Sequence, residues 1–234
     1  MFKLYILKRR EVIKKIGFSF GAATLTPSLL SILNGCNFEE EGWQPKFLSL
    51  QEYDITEKIT DIFIPVTEIP GAKELNLTRF IDAHYQLMLG SKEQKNIKFL
   101  MKQFSDMLLE RTSKNKLDRV ATSEYENELS RLLKADKKER QKWQKSYNNY
   151  IKKLNKIDLQ TKQEIPLDNE EPPKPLSKDI NSYIFLDGIR QLSIWGFRNS
   201  EYIGEKVLAY DPVPGQQKGC VDLIEATGGK SWSI

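Results

Sequence analysis

The sequence is poor in the residues from which most active sites are assembled: among 234 positions there are one histidine and two cysteines. A single imidazole leaves little for a His-based metal centre or a Ser/Cys-His triad. Two thiols cannot hold an iron-sulfur cluster, and no C-x-x-C-H haem attachment sequence occurs. A Gly-rich loop following a strand pattern is also missing. Gly228-Gly229 stands late in the sequence, and Gly215 and Gly219 follow Pro212 and Pro214, so no dinucleotide or phosphate cradle is legible. These absences argue against catalysis, flavin binding or electron carriage by this polypeptide alone. The lone histidine, His84, falls four residues after Phe80 and four before Met88. That spacing puts it on an apolar helix face, where a packed core-edge residue is expected in preference to a ligand.

An excess of one charge sign is lacking once the chain is divided. The formal net charge of +4 comes from the first 35 residues, which hold six Lys/Arg and one acid, leaving 30 bases against 31 acids in the remainder. The basic balance therefore belongs to the leader, and nucleic acid is not an expected partner. Acidic pairs such as Glu39-Glu40 and Glu170-Glu171 lie in tether-like stretches, where they serve solvation.

The leader itself is informative. Leu7-Lys8-Arg9-Arg10-Glu11-Val12-Ile13-Lys14-Lys15 resembles a twin-arginine export signal, with Arg9 and Arg10 as the paired arginines. Residues 16–35 carry no charge, long enough for a helix to cross a bilayer, though Gly17, Gly21 and Pro27 weaken a permanent span. The stretch ends in Leu33-Asn34-Gly35-Cys36, which resembles a lipoprotein cleavage site. The pattern favours cleavage before Cys36 with lipidation of its sulfur; a retained signal anchor and simple cleavage are the alternatives. Each places the domain outside the cytoplasm, in the periplasm or cell envelope, and lipidation or a retained anchor would hold it at a membrane.

Residues 1–35 thus read as a signal segment and 36–48 as a tether and entry, with 49–234 forming a single helical domain. Three capping signatures are expected to open helices, each an oxygen-bearing residue with glutamate three positions on: Ser49 with Glu52, Ser123 with Glu126, and Asp136 with Glu139. Apolar stripes follow at helical spacing. Ile55, Ile59, Ile62 and Phe63 precede the stop at Pro65; Tyr125, Leu129, Leu132 and Leu133 mark the second helix; Trp143, Tyr147, Tyr150, Ile151, Leu154 and Ile157 mark the third. Further helices are predicted through Leu77 to Met88 and Ile97 to Leu108. Another, over Ile180 to Trp195, is apolar around most of its circumference and so expected at the centre of the core. No segment alternates at period two, and the fold class read from the sequence is all-α, a helical bundle.

The third helix is strongly basic, through Lys137, Lys138, Arg140, Lys142, Lys145, Lys152, Lys153 and Lys156. Its polar face reads as solvated, with lipid head groups as the sharper alternative. Residues 158–177, with Pro166, Pro172, Pro173 and Pro175, are expected as a Pro-rich connector. Residues 197–234 read as an irregular, Gly/Pro/aromatic-rich C-terminal segment without a further periodic helix. A run of that length is uncommon in a compact domain unless it has a function.

Several stretches carry a family likeness. They are Trp43-Gln44-Pro45-Lys46-Phe47-Leu48; the run from Asp61-Ile62-Phe63-Ile64-Pro65 to Ile69-Pro70-Gly71-Ala72; Phe80-Ile81-Asp82; Gly196-Phe197-Arg198-Asn199-Ser200-Glu201-Tyr202-Ile203-Gly204; Tyr210-Asp211-Pro212-Val213-Pro214-Gly215; and Gly219-Cys220. In this order they resemble the gluconate 2-dehydrogenase subunit 3 family. The resemblance implies a non-catalytic small subunit, without a cofactor of its own, that escorts and stabilises a large flavoprotein dehydrogenase acting on a sugar or sugar acid. FAD would sit on that partner, and a cytochrome c subunit often accepts its electrons. Rigid aromatic and proline anchors suit interface cores. The expected interface residues are Trp195, Phe197, Tyr202, Tyr210, Pro212, Pro214, Cys220 and Trp232, with an internal lid over the bundle as the competing role. Cys220, the odd thiol of an exported chain, is expected either buried or bonded to the partner. A stand-alone envelope lipoprotein that binds a small ligand or glycan through the same aromatics is the alternative function.

Overall fold

The computed structural model describes residues 43–162, 173–211, 215 and 220–233. Residues 45–234 form one compact unit. Its core side chains, from Leu48 to Ile189, all belong to that unit. The described residues are helical, joined by turns, with one isolated bridge pairing Ala209 with Trp232, and the fold is all-α.

Helix α1 spans Leu50–Phe63. The side-chain oxygen of Ser49 accepts the Glu52 N–H, and the Glu52 carboxylate accepts the Ser49 N–H at 2.7 Å. Two orphan donors of the first turn are satisfied reciprocally, as the spacing predicted. Ile55 and Ile59 are buried, and Pro65 follows the helix end. The Ala72 N–H then returns to the Ile64 carbonyl at 2.8 Å, closing a tight turn. Gly71 makes this closure possible: a Cβ there would lie 2.7 Å from the Val66 nitrogen and 2.8 Å from the Ile64 oxygen.

Helix α2 covers Leu77–Met88 and α3 covers Ser91–Thr112. In α2 Leu77, Ile81 and Tyr85 are buried, and Thr78 meets Thr60 of α1 through paired hydroxyls 3.1 Å apart. In α3 Leu100, Met101, Phe104, Met107 and Leu108 face inward. A 3-10 turn at Leu117–Arg119 leads to α4, Thr122–Leu133. The expected cap of α4 at Ser123 lies two residues too late. The N-cap is Ala121, whose N–H is taken by the Glu124 carboxylate at 2.8 Å. In the run Thr122-Ser123-Glu124-Tyr125-Glu126 two overlapping spacings compete, and the earlier glutamate closes the helix end.

Helix α5 is Lys137–Lys162. Its start agrees with the expected cap, since Asp136 accepts the Lys138 N–H at 2.8 Å. Its end does not, because the helix continues five residues, 158–162, into the stretch read as connector. Leu159-Gln160-Thr161-Lys162 contains no proline, and the first helix-breaking residue is Pro166. The prolines at 166 and 172 lie outside the described residues.

Helix α6, Lys178–Arg198, packs against every one of α1 to α5. Tyr183, Phe185, Leu186 and Ile189 fill the core from it. Each such side chain contributes about 1.5–3 kcal/mol by leaving water. Small residues on the same helix, Ser182, Ser193 and Gly196, are buried too and allow close approach of its neighbours. The helix extends beyond the predicted Trp195 through Phe197 and Arg198. Beyond it the described residues contain a π-turn at Ile203–Val207 and a short helix α7 at Leu223–Thr227.

Candidate partner interface

Trp195 lies on the last turns of α6. One side of its indole packs on Phe80, ring centroids 5.1 Å apart, and on His84 at 6.2 Å, both on α2. The other side is open, leaving the residue 51% exposed. Gly196 sets this geometry, because a Cβ there would sit 2.7 Å from Phe80 Cδ1. His84 is half-buried within this aromatic group, the core-edge position its spacing predicted. Met88, one turn further and expected on the same apolar face, is 71% exposed, and Leu87 is 78% exposed. The helix ends there, and the edge continues outward from His84 as uncovered apolar surface.

Beyond α6 the chain is tied to the bundle by few contacts. Ile203 is buried, and the Ser200 carbonyl accepts the Gly204 N–H at 2.8 Å. The Ala209 N–H donates to Ser231 at 2.9 Å while the Ser233 N–H donates to Ala209 at 2.8 Å, which draws Trp232 alongside Ala209. Asp222 caps α7 by accepting from Ile224 and Glu225, and Gly228, with φ at +63°, ends it. Gly228 is free to adopt this left-handed conformation without a Cβ penalty.

These backbone ties leave the large side chains outward. Ile194, Trp195, Tyr202, Tyr210, Val221, Leu223, Ile224 and Trp232 all lie between 45% and 67% exposed. No described residue after α6 enters the core cluster that ends at Ile189. Of the expected interface residues, Phe197 is the exception, half-buried on the last turn of α6. Cys220 is an exposed free thiol two residues before the Asp222 cap of α7, which corrects the expectation of a buried one. Pro212 and Pro214 lie outside the described residues, as do Arg9, Arg10 and Cys36. An open depression of about 520 Å³ lies between Tyr210, Trp232 and Lys230.

A functional residue that sequence reasoning overlooked is Asp82. Its carboxylate is 1% exposed and accepts three successive backbone N–H groups, from Lys46 at 2.8 Å, Phe47 at 3.0 Å and Leu48 at 2.8 Å. From α3, Lys98 completes the clamp. Its ammonium donates to the Phe47 carbonyl at 2.8 Å, pairs with Glu52, and lies 4.4 Å from the Phe47 ring centroid. Burial alone would push the Glu52 carboxyl up, but Lys98 and the Ser49 N–H outweigh it and hold the group below its ordinary value. The entry segment is therefore fixed to α1, α2 and α3 together. A carboxylate one residue after the apolar pair Phe80-Ile81 was the only sequence signal for it.

The stretches Phe80-Ile81-Asp82, Pro70-Gly71-Ala72 and Gly196-Phe197 thus act through packing and backbone satisfaction. A second charged cluster joins three helices: Arg131 of α4 forks onto Asp179 of α6 at 2.8 and 3.1 Å and meets Glu128 at 2.7 Å, which also holds Arg111 of α3.

A family model described as Gluconate 2-dehydrogenase subunit 3 matches residues 51–215. No curated protein and no solved structure matches the chain.

Proposed function

The chain belongs to the gluconate 2-dehydrogenase subunit 3 family, and on that premise we propose that it is the non-catalytic small subunit of an envelope flavoprotein dehydrogenase. In this reading it binds a large FAD-containing subunit that oxidises a sugar or sugar acid, with a cytochrome c subunit as a candidate electron acceptor. Its work is export, stabilisation and assembly of the catalytic subunit. The twin-arginine pattern at Arg9-Arg10 and the lipidation pattern at Cys36 support an exported, membrane-associated site of action.

One observation carries the assembly role. Trp195 presents an open indole face from a rigid helix, backed by Phe80 and His84, and the segment after it adds Tyr202, Tyr210, Ile224 and Trp232 at the surface. Ordered aromatics that are half-exposed and held from behind are the residues that dominate interface energetics. Exposed large apolar side chains in this number, on one helix end and the segment that follows it, suit an association surface. The test is co-expression with the flavoprotein: Trp195→Asp combined with Ile224→Asp should release the catalytic subunit while leaving the helical circular dichroism unchanged. Retention of a full complex by that variant would count against this surface.

The second reading, a stand-alone lipoprotein that takes a small ligand or glycan, draws on the depression flanked by Tyr210 and Trp232. It predicts a chain that purifies alone and binds sugar in calorimetry.

A further inference from the structure

Helix α5 carries a one-sided charge that the proposed interface does not use. Between Lys137 and Lys162 it holds nine bases and two acids, a net of +7 in a chain whose residues 36–234 sum to −1; the rest of that stretch is therefore −8. At 3.6 residues per turn, Lys138, Lys142, Lys145, Lys152, Lys153 and Lys156 fall within a sector of about 100° and run for about 27 Å along the axis. All six are exposed. The two acids lie elsewhere around the helix, and one of them, Asp158, pairs with Lys92 of α3 at 2.9 Å. The opposite face is fixed to the bundle by Trp143, whose ring lies 5.3 Å from that of Tyr183, and by Tyr147, which accepts from Asn96 at 2.6 Å. The lysine stripe therefore lies on the side of α5 turned from these bundle contacts, and neither acid of the helix falls within its sector.

Where the chain enters the fold decides what meets this stripe. The first turns of α3 hold α5 on one flank, through Lys92 and Asn96, and the entry segment on the other, through Lys98 and Phe47. Cys36 is nine residues before Pro45, a length of chain that spans at most about 30 Å when fully extended. Leu154 and Leu159, 36% and 56% exposed, add apolar contacts toward the same end of α5.

We infer that the lysine face of α5 lies on an anionic phospholipid surface and orients the domain there. The inference rests on the envelope-anchored reading for its setting, but not for its test. Residues 43–234, which include the whole core, are mixed with vesicles of phosphatidylcholine alone or with one-third phosphatidylglycerol and sedimented; no leader or lipid is present. Binding to the anionic vesicles alone, weakening steeply with salt, is expected. Lys145→Glu, Lys152→Glu and Lys153→Glu together should reduce it at least tenfold. An equal charge reversal at the exposed Lys116, Lys206 and Lys230 should leave most of it, with circular dichroism confirming that both variants fold. Equal loss in the two triple variants, binding to neutral vesicles, or no binding to either would overturn the inference. An anionic duplex that fails to displace the protein from the anionic vesicles supports lipid as the occupant; tighter binding to the duplex than to those vesicles would assign the face to nucleic acid and overturn it.

Discussion

The Asp82 carboxylate receives the backbone N–H of Leu48 at 2.8 Å, across 34 residues of sequence and with both groups buried. Together with the N–H groups of Lys46 and Phe47 it makes three charge-assisted bonds, the stronger class of hydrogen bond. Truncation would leave these donors without their acceptor. Asp82→Ala is therefore expected to cost about 3 kcal/mol in urea unfolding, and Asp82→Asn less, because one amide oxygen still accepts. A change within experimental error for Asp82→Ala would show that the entry segment is held by Lys98 alone.

The clamp also titrates. The Glu52 carboxyl is held below its ordinary 4.5, so its contribution is full near neutrality and is lost as pH falls through the depressed value. The stability difference between the native protein and Glu52→Gln should be constant from neutral pH down to the ordinary value and shrink below it. Lys98→Met should remove most of the same difference. A gap that widens on acidification would contradict the assignment.

Two glycines of α6 give opposite expectations for one substitution. Gly188 is exposed and a Cβ there meets nothing within 4 Å, whereas at Gly196 it would meet Phe80 Cδ1 at 2.7 Å. Gly188→Ala should stabilise by about 0.5–1 kcal/mol through helix propensity. Gly196→Ala should destabilise by about 1–3 kcal/mol through overpacking and shift Trp195 fluorescence, because Phe80 backs that indole. Thermal melts and emission spectra of the two variants make the comparison.

What was legible in the sequence follows the range of each interaction. Ser49 with Glu52 and Asp136 are local devices, and the helices start there. Local competition explains the displaced cap of α4, where Glu124 reaches Ala121 before Glu126 reaches Ser123. The burial of α6 was readable because its own circumference is apolar. Asp82 was not, since its partners lie 34 to 36 residues away, and nothing in Phe80-Ile81-Asp82 says which backbone it meets. For the same reason Gly196 reads as a break in a helix pattern, and only the Phe80 ring beside it explains the absent side chain. The exposed face of Trp195 was within reach as composition, but which face would be covered was not.

Export is tested at Arg9 and Arg10. Replacing both by lysine preserves charge but removes the planar guanidinium fork that a twin-arginine receptor would read. If this chain carries its folded partner out, the double change should hold both proteins in the cytoplasm and lower dye-linked dehydrogenase activity in envelope fractions, leaving the assembled enzyme's activity unaltered. Fractionation with flavin fluorescence in each compartment reads the outcome. Normal export of the flavoprotein with this chain retained inside would end the escort role.

As one subunit of a flavoprotein dehydrogenase, this chain would be recovered with a flavin-bearing partner. The most direct test is the flavin content of the chain isolated from its native cells in mild detergent, measured by absorbance against the amount of this chain. A larger complex is expected, with close to one flavin per chain and sugar- or sugar-acid-dependent dye reduction, both lost when Trp195 and Ile224 are replaced by aspartate. A chain that elutes alone at the mass of a single subunit, colourless and without a flavin-bearing partner, would contradict it.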